Sequence, residues 1–377
     1  MLKYLYLFFL LNIAMPTILL AQDQNIQVQL SWWTDTTNHP ELKPFVNLYT
    51  NYINSAPDSI YDNPNWNKRE KILYKDFDLS RNSIFQGTLT AQAIFSSFIP
   101  VLLKIEKKDT VYQLSSLLKA KAHLGPQYTS YDPLAIMKYA VVKENGKWKM
   151  ANILPYETSN WNKYQQDYIT FYAPTAGINN KLAIQNSVKF CDSICDHYNL
   201  KKSDPFSVYT VNGTHELGQL LGYEYYIYGN AEGKSINSIV LSGNSSPYYP
   251  HEFVHQIWPK NDKRNRLLDE GIATWLGGSM NQNYKVISMD FSSRAIEKVD
   301  GNFTDLLKDH TLSFYAQGAI LCDLIHHYYG TKKLKLLLEK DTSDDEKLLQ
   351  AILEITKWNL STFNKNWKCY LENISDG

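Results

Sequence analysis

The stretch His251-Glu252-Phe253-Val254-His255 decides how this 377-residue chain is interpreted. Its two histidines are four positions apart, so on a helix they lie one turn apart on the same face. Two imidazoles held in that way can bind a single Zn²⁺ ion. Glu252 then lies beside the metal, where a bound water would be. The spacing therefore predicts a helix that carries a site for one zinc ion.

A third zinc ligand is predicted in the segment Leu267–Trp275, which reads LLDEGIATW. Its apolar residues recur at helical spacing, which predicts a helix packed on the core with Glu270 projecting elsewhere. This segment resembles the Asn-Glu-Gly-Phe-Ala element of the gluzincin (peptidase MA-like) zinc metallopeptidases, which carries their third ligand. The resemblance implies that Glu270 is a zinc ligand and that Asp269 points the other way.

A further element follows in Phe314–Leu321, which reads FYAQGAIL. In the aminopeptidase branch of the gluzincins, a tyrosine followed three residues later by glycine opens a helix and donates a hydrogen bond to the oxyanion. Tyr315 and Gly318 match that pattern, so the resemblance implies this role for Tyr315. Such a donor is needed because the attacked carbonyl gains negative charge in the transition state. The alternative interpretation is a tyrosine of the hydrophobic core.

The chain also departs from the aminopeptidase pattern in two places. Fourteen residues separate His255 from Glu270, about one helical turn fewer than in that branch. The shortening falls in the charged segment Pro259–Arg266, where a loop tolerates deletion. At the place of Ile239–Asn244, the branch has a glutamate that holds the substrate's free amine, and this chain has no acidic residue there. The same stretch is expected to be an edge strand that could pair with an extended peptide. Cleavage within a chain is therefore favoured over removal of N-terminal residues.

Residues 22–160 predict an α+β domain made of a helix and an antiparallel sheet. A helix is expected from His39 to Asn54. Strands Met137–Val142 and Trp148–Met150 flank Asn145-Gly146, which is a strong hairpin signal. This order is similar to that of the nuclear-transport-factor-like (cystatin-like) domain. It implies an accessory module that packs or presents substrate.

Residues 161–377 predict a second domain with a different order of elements. A small sheet with helices is expected first, including a strand at Ile236–Leu241, then the His251 helix, and then only helices to the C-terminus. That order is typical of gluzincin peptidases. The predicted fold class is therefore α+β for both domains.

The first 21 residues read as a secretory signal peptide. Lys3 precedes an apolar run from Tyr4 to Leu20, and Ala21 offers a small residue for cleavage. The alternative is an uncleaved membrane anchor, since the run is nearly long enough to span a bilayer. The signal predicts a secreted or periplasmic protein with no stable membrane anchor after cleavage.

Charge and cysteine content narrow the possible partners and bonds. The chain has 38 basic and 38 acidic residues, so no overall field favours nucleic acid. Cys191 and Cys195 lie one helical turn apart, a spacing that rarely suits a disulfide. Cys322 and Cys369 fall on helical patterns, and both a bridge and free thiols stay open.

Together these features predict a zinc metallopeptidase acting on peptide or protein substrates. His251, His255 and Glu270 are the expected ligands of one Zn²⁺, and Glu252 is the expected general base toward a metal-activated water. Tyr315 is the expected oxyanion donor. The alternative is an exported, non-catalytic peptide-binding protein on a peptidase-like scaffold.

Overall fold

The chain forms two compact units in a computed structural model. The structure describes residues 25–55, 63–70, 78–80, 94–95, 97–121, 133–174, 180–227, 229, 232–309 and 311–375, so the predicted signal peptide lies outside the described residues. Of these residues, those from 25 to 67 and from 94 to 151 belong to the first unit, and those from 68 to 80 and from 152 to 375 belong to the second. The fold is α+β, with two sheets and a helical C-terminal half, which confirms the predicted class. The division into an accessory domain and a peptidase-like domain stays a prediction.

The first unit is a helix on a largely antiparallel sheet. Its elements are β1 (Gln29–Leu30), a 3₁₀ turn (Pro40–Leu42), α1 (Lys43–Ile53), β2 (Phe98–Lys108), β3 (Val111–Ala120), β4 (Ala135–Glu144) and β5 (Lys147–Ala151). The strands follow one another in the order β1-β2-β3-β4-β5, and only the β1–β2 pair is parallel. The predicted Asn145-Gly146 turn is confirmed. Both residues have positive φ, at 49° and 79°, as a tight hairpin requires.

The second unit begins with a small sheet and ends with helices. Its strands are β6 (Asn162–Gln166), β7 (Ile169–Ala173), β8 (Phe206–Thr210), β9 (Tyr223–Tyr226), β10 (Gly233–Ile236) and β11 (Ile239–Ser242). Its helices are α2 (Leu154–Glu157), α3 (Lys181–Tyr198), α4 (Thr214–Leu220), α5 (Pro250–Ile257), α6 (Arg266–Gly277), α7 (Tyr284–Val299), α8 (Phe303–Lys308), α9 (Phe314–Glu339), α10 (Asp345–Thr356) and α11 (Leu360–Ser375). Helix α9 is broken at Gly330, which has non-helical backbone angles. Across the described part of the chain, no helix combines the length and the apolar character needed to cross a membrane.

The sheet of the second unit has the order β10-β11-β8-β7-β6, with a parallel centre and antiparallel edges. The predicted strand at Ile236–Leu241 is wrong, because the chain turns at Asn237 and Ser238 and forms two strands instead of one. Asn237 takes the left-handed conformation, with φ 50°, which asparagine tolerates better than most residues. Strand β11 is thus interior, as its four buried residues suit, and the expected edge strand at Ile239–Asn244 is wrong. The edge position belongs to β10.

Helix α5 carries the HEFVH stretch and lies between two hydrophobic cores of the second unit. Phe253 and Ile257, one turn apart, join the core between the sheet and α3. Val254 and Trp258 join the core of the C-terminal helices. Because both apolar sides of the short helix are packed, the side that bears His251 and His255 is held in a fixed direction.

The cysteines form no disulfide in this structure. Cys191, Cys195 and Cys322 are buried free thiols, and Cys369 is exposed and free. The open question of a Cys322–Cys369 bridge is therefore answered by two free thiols.

Candidate metal centre

Helices α5 and α6 bring together the three predicted zinc ligands. The Nε2 atoms of His251 and His255 lie 3.1 and 3.3 Å from Oε2 of Glu270. One ligand atom from each of the three residues lies within 4.8 Å of the other two, and the described residues contain no other such group of His, Cys, Asp and Glu. Two imidazole nitrogens and one carboxylate oxygen are the donor set that catalytic zinc sites use, so these residues fit Zn²⁺.

Each histidine is also held at its other ring nitrogen. Nδ1 of His251 donates a hydrogen bond to the carbonyl oxygen of Gly278 at 2.8 Å. Nδ1 of His255 lies 3.5 Å from Oδ2 of Asp269. An acceptor at Nδ1 fixes the tautomer and leaves the lone pair of Nε2 for a metal. Both imidazoles are thereby oriented toward Glu270.

The position of Asp269 differs from the prediction that it points away from the site. Successive residues of a helix are separated by about 100° around its axis. Asp269 and Glu270 therefore diverge by less than a half-turn, and the ring of His255 lies between them, with one carboxylate at each nitrogen. The sequence pattern places both residues on α6 but does not show that α5 passes between their side chains.

Gly278, whose carbonyl oxygen accepts from His251, is a histidine partner that the sequence did not reveal. It caps the C-terminus of α6 with φ 75°, in the left-handed region that favours glycine. A Cβ at this position would lie 2.3 Å from the carbonyl oxygen of Gln282. The Gly277-Gly278 pair signals the end of a helix, but only the fold shows that the capping carbonyl reaches His251.

A crossing of two helices without side chains between them brings Tyr315 to the ligands. A Cβ on Gly318 of α9 would lie 1.9 Å from the carbonyl oxygen of Leu267, and one on Gly271 would lie 2.4 Å from the carbonyl carbon of Gly318. The backbones of α6 and α9 therefore meet at this pair of glycines. The ring centroid of Tyr315, in the first turn of α9, is 6.0 Å from that of His251. The predicted tyrosine thus lies beside the ligand group.

The electrostatics of the site suit a cation among carboxylates. Burial raises the pKa of Glu252, which is 8% exposed, and the two histidines oppose that rise only in part. Burial would also raise the pKa of Glu270, but hydrogen bonds from His251 and His255 lower it well below its ordinary value. Burial disfavours the charged form of His255, yet the carboxylates of Asp269 and Glu270 raise its pKa to about 10. The groups that favour a proton on His255 also favour a metal ion, and the two compete.

Two basic residues near the ligands were not singled out in the sequence. Nε of Arg266 lies 3.9 Å from Oε1 of Glu270, and its guanidinium lies over the ring of Phe314 at 4.8 Å. Burial lowers the pKa of Lys234 on β10, while Glu252 and Glu270 act in the opposite direction. Burial also raises the pKa of Tyr315, so its hydroxyl stays protonated and able to donate a hydrogen bond. Basic residues at helix starts and on strands are common, so no sequence signal marked these two.

Comparison with known proteins gives a distant structural likeness. The chain is similar to a solved structure of Legionella pneumophila aminopeptidase A in complex with aspartic acid, with 14% identity and a TM-score of 0.35, covering 72% of this chain and 34% of that one. It is also similar to native yeast LTA4 hydrolase, with 11% identity and a TM-score of 0.36, covering 73% of this chain and 47% of that one. The chain therefore spans between a third and a half of the length of these two structures. No family model and no curated protein matches the sequence. A likeness this low leaves the activity of the chain to be argued from its own residues.

Proposed function

We propose that this protein is an exported zinc-dependent peptidase, more specifically an endopeptidase. The observation that carries the proposal is the convergence of His251, His255 and Glu270, with each Nε2 facing the same carboxylate oxygen. Two imidazoles and a carboxylate would hold the metal and leave a coordination position open for the reaction. The export part rests on the signal-like N-terminal sequence alone.

The chemistry assigns one role to each remaining side chain. Zn²⁺ bound here supplies Lewis acidity toward a water and a scissile carbonyl. Glu252 takes the proton of the attacking water and gives it to the leaving amine, and its burial, which raises its pKa, favours acceptance of that proton. Tyr315 donates its hydroxyl proton in a hydrogen bond to the carbonyl oxygen as negative charge develops there. These roles are supported by the packing of α5, α6 and α9, which brings Tyr315 beside His251.

The proposal is tested by zinc analysis beside digestion of a peptide library. The wild-type protein is expected to contain one zinc ion per chain and to cut peptides. Glu252→Gln is expected to keep the zinc and to lose about 10²–10⁴-fold in rate, since it removes only the base. Stoichiometric zinc with no cleavage above that of Glu252→Gln would instead support a peptide-binding protein that does not turn substrate over.

A second pair of substrates separates cleavage within a chain from removal of N-terminal residues. An acetylated peptide is expected to be cut as fast as the same peptide with a free N-terminus. Glu232 directly precedes the edge strand β10 and is the acidic residue to test for binding of a free amine. A requirement for the free amine that disappears in Glu232→Gln would identify an aminopeptidase and overturn the endopeptidase assignment.

A further inference from the structure

A buried arginine outside the ligand group links three segments around the metal centre. The side chain of Arg264 is only 3% exposed. Its Nη1 donates to Oδ1 of Asp269 at 2.8 Å, its Nη2 to the carbonyl oxygen of Pro259 at 2.7 Å, and its Nε to that of Leu338 at 2.9 Å. The guanidinium therefore joins the chain just after α5, the first turn of α6 and the end of α9.

Burial of a guanidinium costs free energy unless it is paired and hydrogen-bonded. Here all three of its nitrogens have an acceptor, and one acceptor is an anion. The two oxygens of Asp269 are divided, since Oδ1 accepts from Arg264 and Oδ2 lies 3.5 Å from Nδ1 of His255. The side chain of Asp269 is itself 44% exposed, so its own packing does not fix its direction. The fixed partner of this carboxylate is Arg264.

We propose that Arg264 is a positioning residue for the metal centre, which it serves by holding Asp269 against His255. The inference rests on the zinc site proposed above and concerns the affinity of that site. With Asp269 held, the Nδ1 proton of His255 has a fixed acceptor, and the Nε2 lone pair points to the metal position without first being ordered. The segment Pro259–Arg266, expected from the sequence to be a loop that tolerates deletion, is then part of the support of the site.

A purely structural role for Arg264 predicts a different outcome, and Asn261 provides the matched control. Nδ2 of Asn261 donates to the carbonyl oxygens of Leu338 and Lys340 at 3.2 and 3.1 Å, so it ties the same loop to the same end of α9. Among the described residues, the side-chain hydrogen bonds of Asn261 go to Leu338, Lys340 and Lys263 and none goes to Asp269. Asn261→Ala therefore weakens the loop and leaves the carboxylate in place.

The test measures zinc affinity by competition with a chelator, together with thermal unfolding and the visible absorption of Co²⁺ bound in place of zinc. Arg264→Met and Asp269→Asn are each expected to weaken zinc binding by about 10–100-fold, the usual cost of losing an outer partner of a ligand. Both are expected to change the Co²⁺ spectrum in the same way. Asn261→Ala is expected to lower the unfolding temperature and to leave the affinity within about twofold of wild type.

A double-mutant cycle of Arg264 and Asp269 tests whether Arg264 affects zinc affinity through Asp269. In the Asp269→Asn background, Arg264→Met is expected to add no more than about twofold, because the two residues act in series. If Arg264→Met does not fold, Arg264→Lys is the second variant. It keeps the positive charge but cannot make the three hydrogen bonds of the guanidinium, and it is expected to weaken zinc binding by about tenfold. Wild-type affinity in Arg264→Lys or Arg264→Met, tighter binding, or full additivity with Asp269→Asn would overturn the proposal. Because zinc affinity is the readout, a protein that binds zinc and cuts no peptide would overturn the peptidase function and leave this inference standing.

Discussion

The two units of the chain bury polar groups in different ways. Among the described residues of the first unit, every buried polar side chain is uncharged. Tyr49 and Ser116 share a hydrogen bond of 2.5 Å, and Oγ1 of Thr34 donates to the carbonyl oxygen of Leu102 at 2.7 Å. Both hydrogen bonds join neutral groups, as expected of groups that only have to be accommodated in a core.

The second unit buries charged side chains, and several ionisable groups meet at the candidate metal centre. His251, Glu252 and His255 on α5 lie close to Asp269 and Glu270 on α6, so five ionisable side chains share one small region. Such an arrangement costs desolvation free energy that an apolar core would avoid. The contrast supports the proposed cation site in the second unit, where Glu70 and Asp78 are also buried but accept hydrogen bonds from neutral groups of Asn152 and Ser80.

The strongest test of this contrast removes a charge from the ligand group. Glu270→Ala is expected to abolish stoichiometric zinc binding, a loss beyond the roughly 10–100-fold that outer partners cost. The cause is the loss of the one carboxylate that both imidazoles face. Zinc content after dialysis and chelator competition measure it. Glu354→Ala removes an exposed glutamate paired with Lys340 at 3.0 Å and is expected to keep the wild-type zinc content. Full zinc in Glu270→Ala would contradict the assignment of the ligand.

A smaller effect is expected at Tyr315, whose proposed role concerns the turnover rate and not the zinc affinity. Tyr315→Phe is expected to lower the turnover rate on a peptide substrate by about 10²–10³-fold, since it removes one oxyanion donor. The zinc affinity is expected to stay at the wild-type value. Tyr164→Phe, on the exposed strand β6, is the control and is expected to be silent. A wild-type rate in Tyr315→Phe would return this residue to the role of a core tyrosine.

Two glycines, one in each unit, sharpen the comparison at the level of stability. Gly318→Ala places a Cβ 1.9 Å from a backbone carbonyl and is expected to cost about 1–3 kcal/mol of unfolding free energy, with a loss of activity because α9 must shift. Gly146→Ala meets no atom within 4 Å and is expected to cost about 1 kcal/mol through its positive φ alone. Denaturant unfolding measures both. If Gly146→Ala lost as much activity as Gly318→Ala, the loss could not be assigned to the steric clash that only Gly318→Ala creates.

These two glycines also show which parts of the fold were predictable. Gly146 follows Asn145 between two alternating strands, and this local signal correctly predicted the hairpin. The turn at Asn237 and Ser238 has no such signal, and the two short strands around it were predicted as one. The role of Gly318 as a crossing point depends on α6, some fifty residues earlier in the chain, so no local pattern contains it.

The candidate site divides along the same line. That His251, Glu252 and His255 lie on one helix was predictable from their spacing, and their roles stay predictions. Glu270 and Tyr315 were predictable only by resemblance, and the structure brings both next to the histidines. The contacts of Asp269 with His255, of Gly278 with His251 and of Arg264 with Asp269 could not be predicted. They depend on how α5, α6 and the loop between them pack together. Contacts between elements follow from tertiary packing, which spacing along the sequence does not record.

The smallest effect is expected in the first unit, where a neutral pair can be replaced. Tyr49→Phe is expected to cost about 1 kcal/mol of unfolding free energy, because the buried hydroxyl of Ser116 loses a partner. The double variant Tyr49→Phe with Ser116→Ala leaves neither hydroxyl and is expected to cost no more than the single one. Zinc affinity is expected to be unchanged in both variants. A charged pair does not behave in this way, since removal of Arg264 leaves Asp269 without its fixed partner. If Arg264→Met and Tyr49→Phe were tolerated equally, in both stability and zinc affinity, the two units would not differ in the way proposed here.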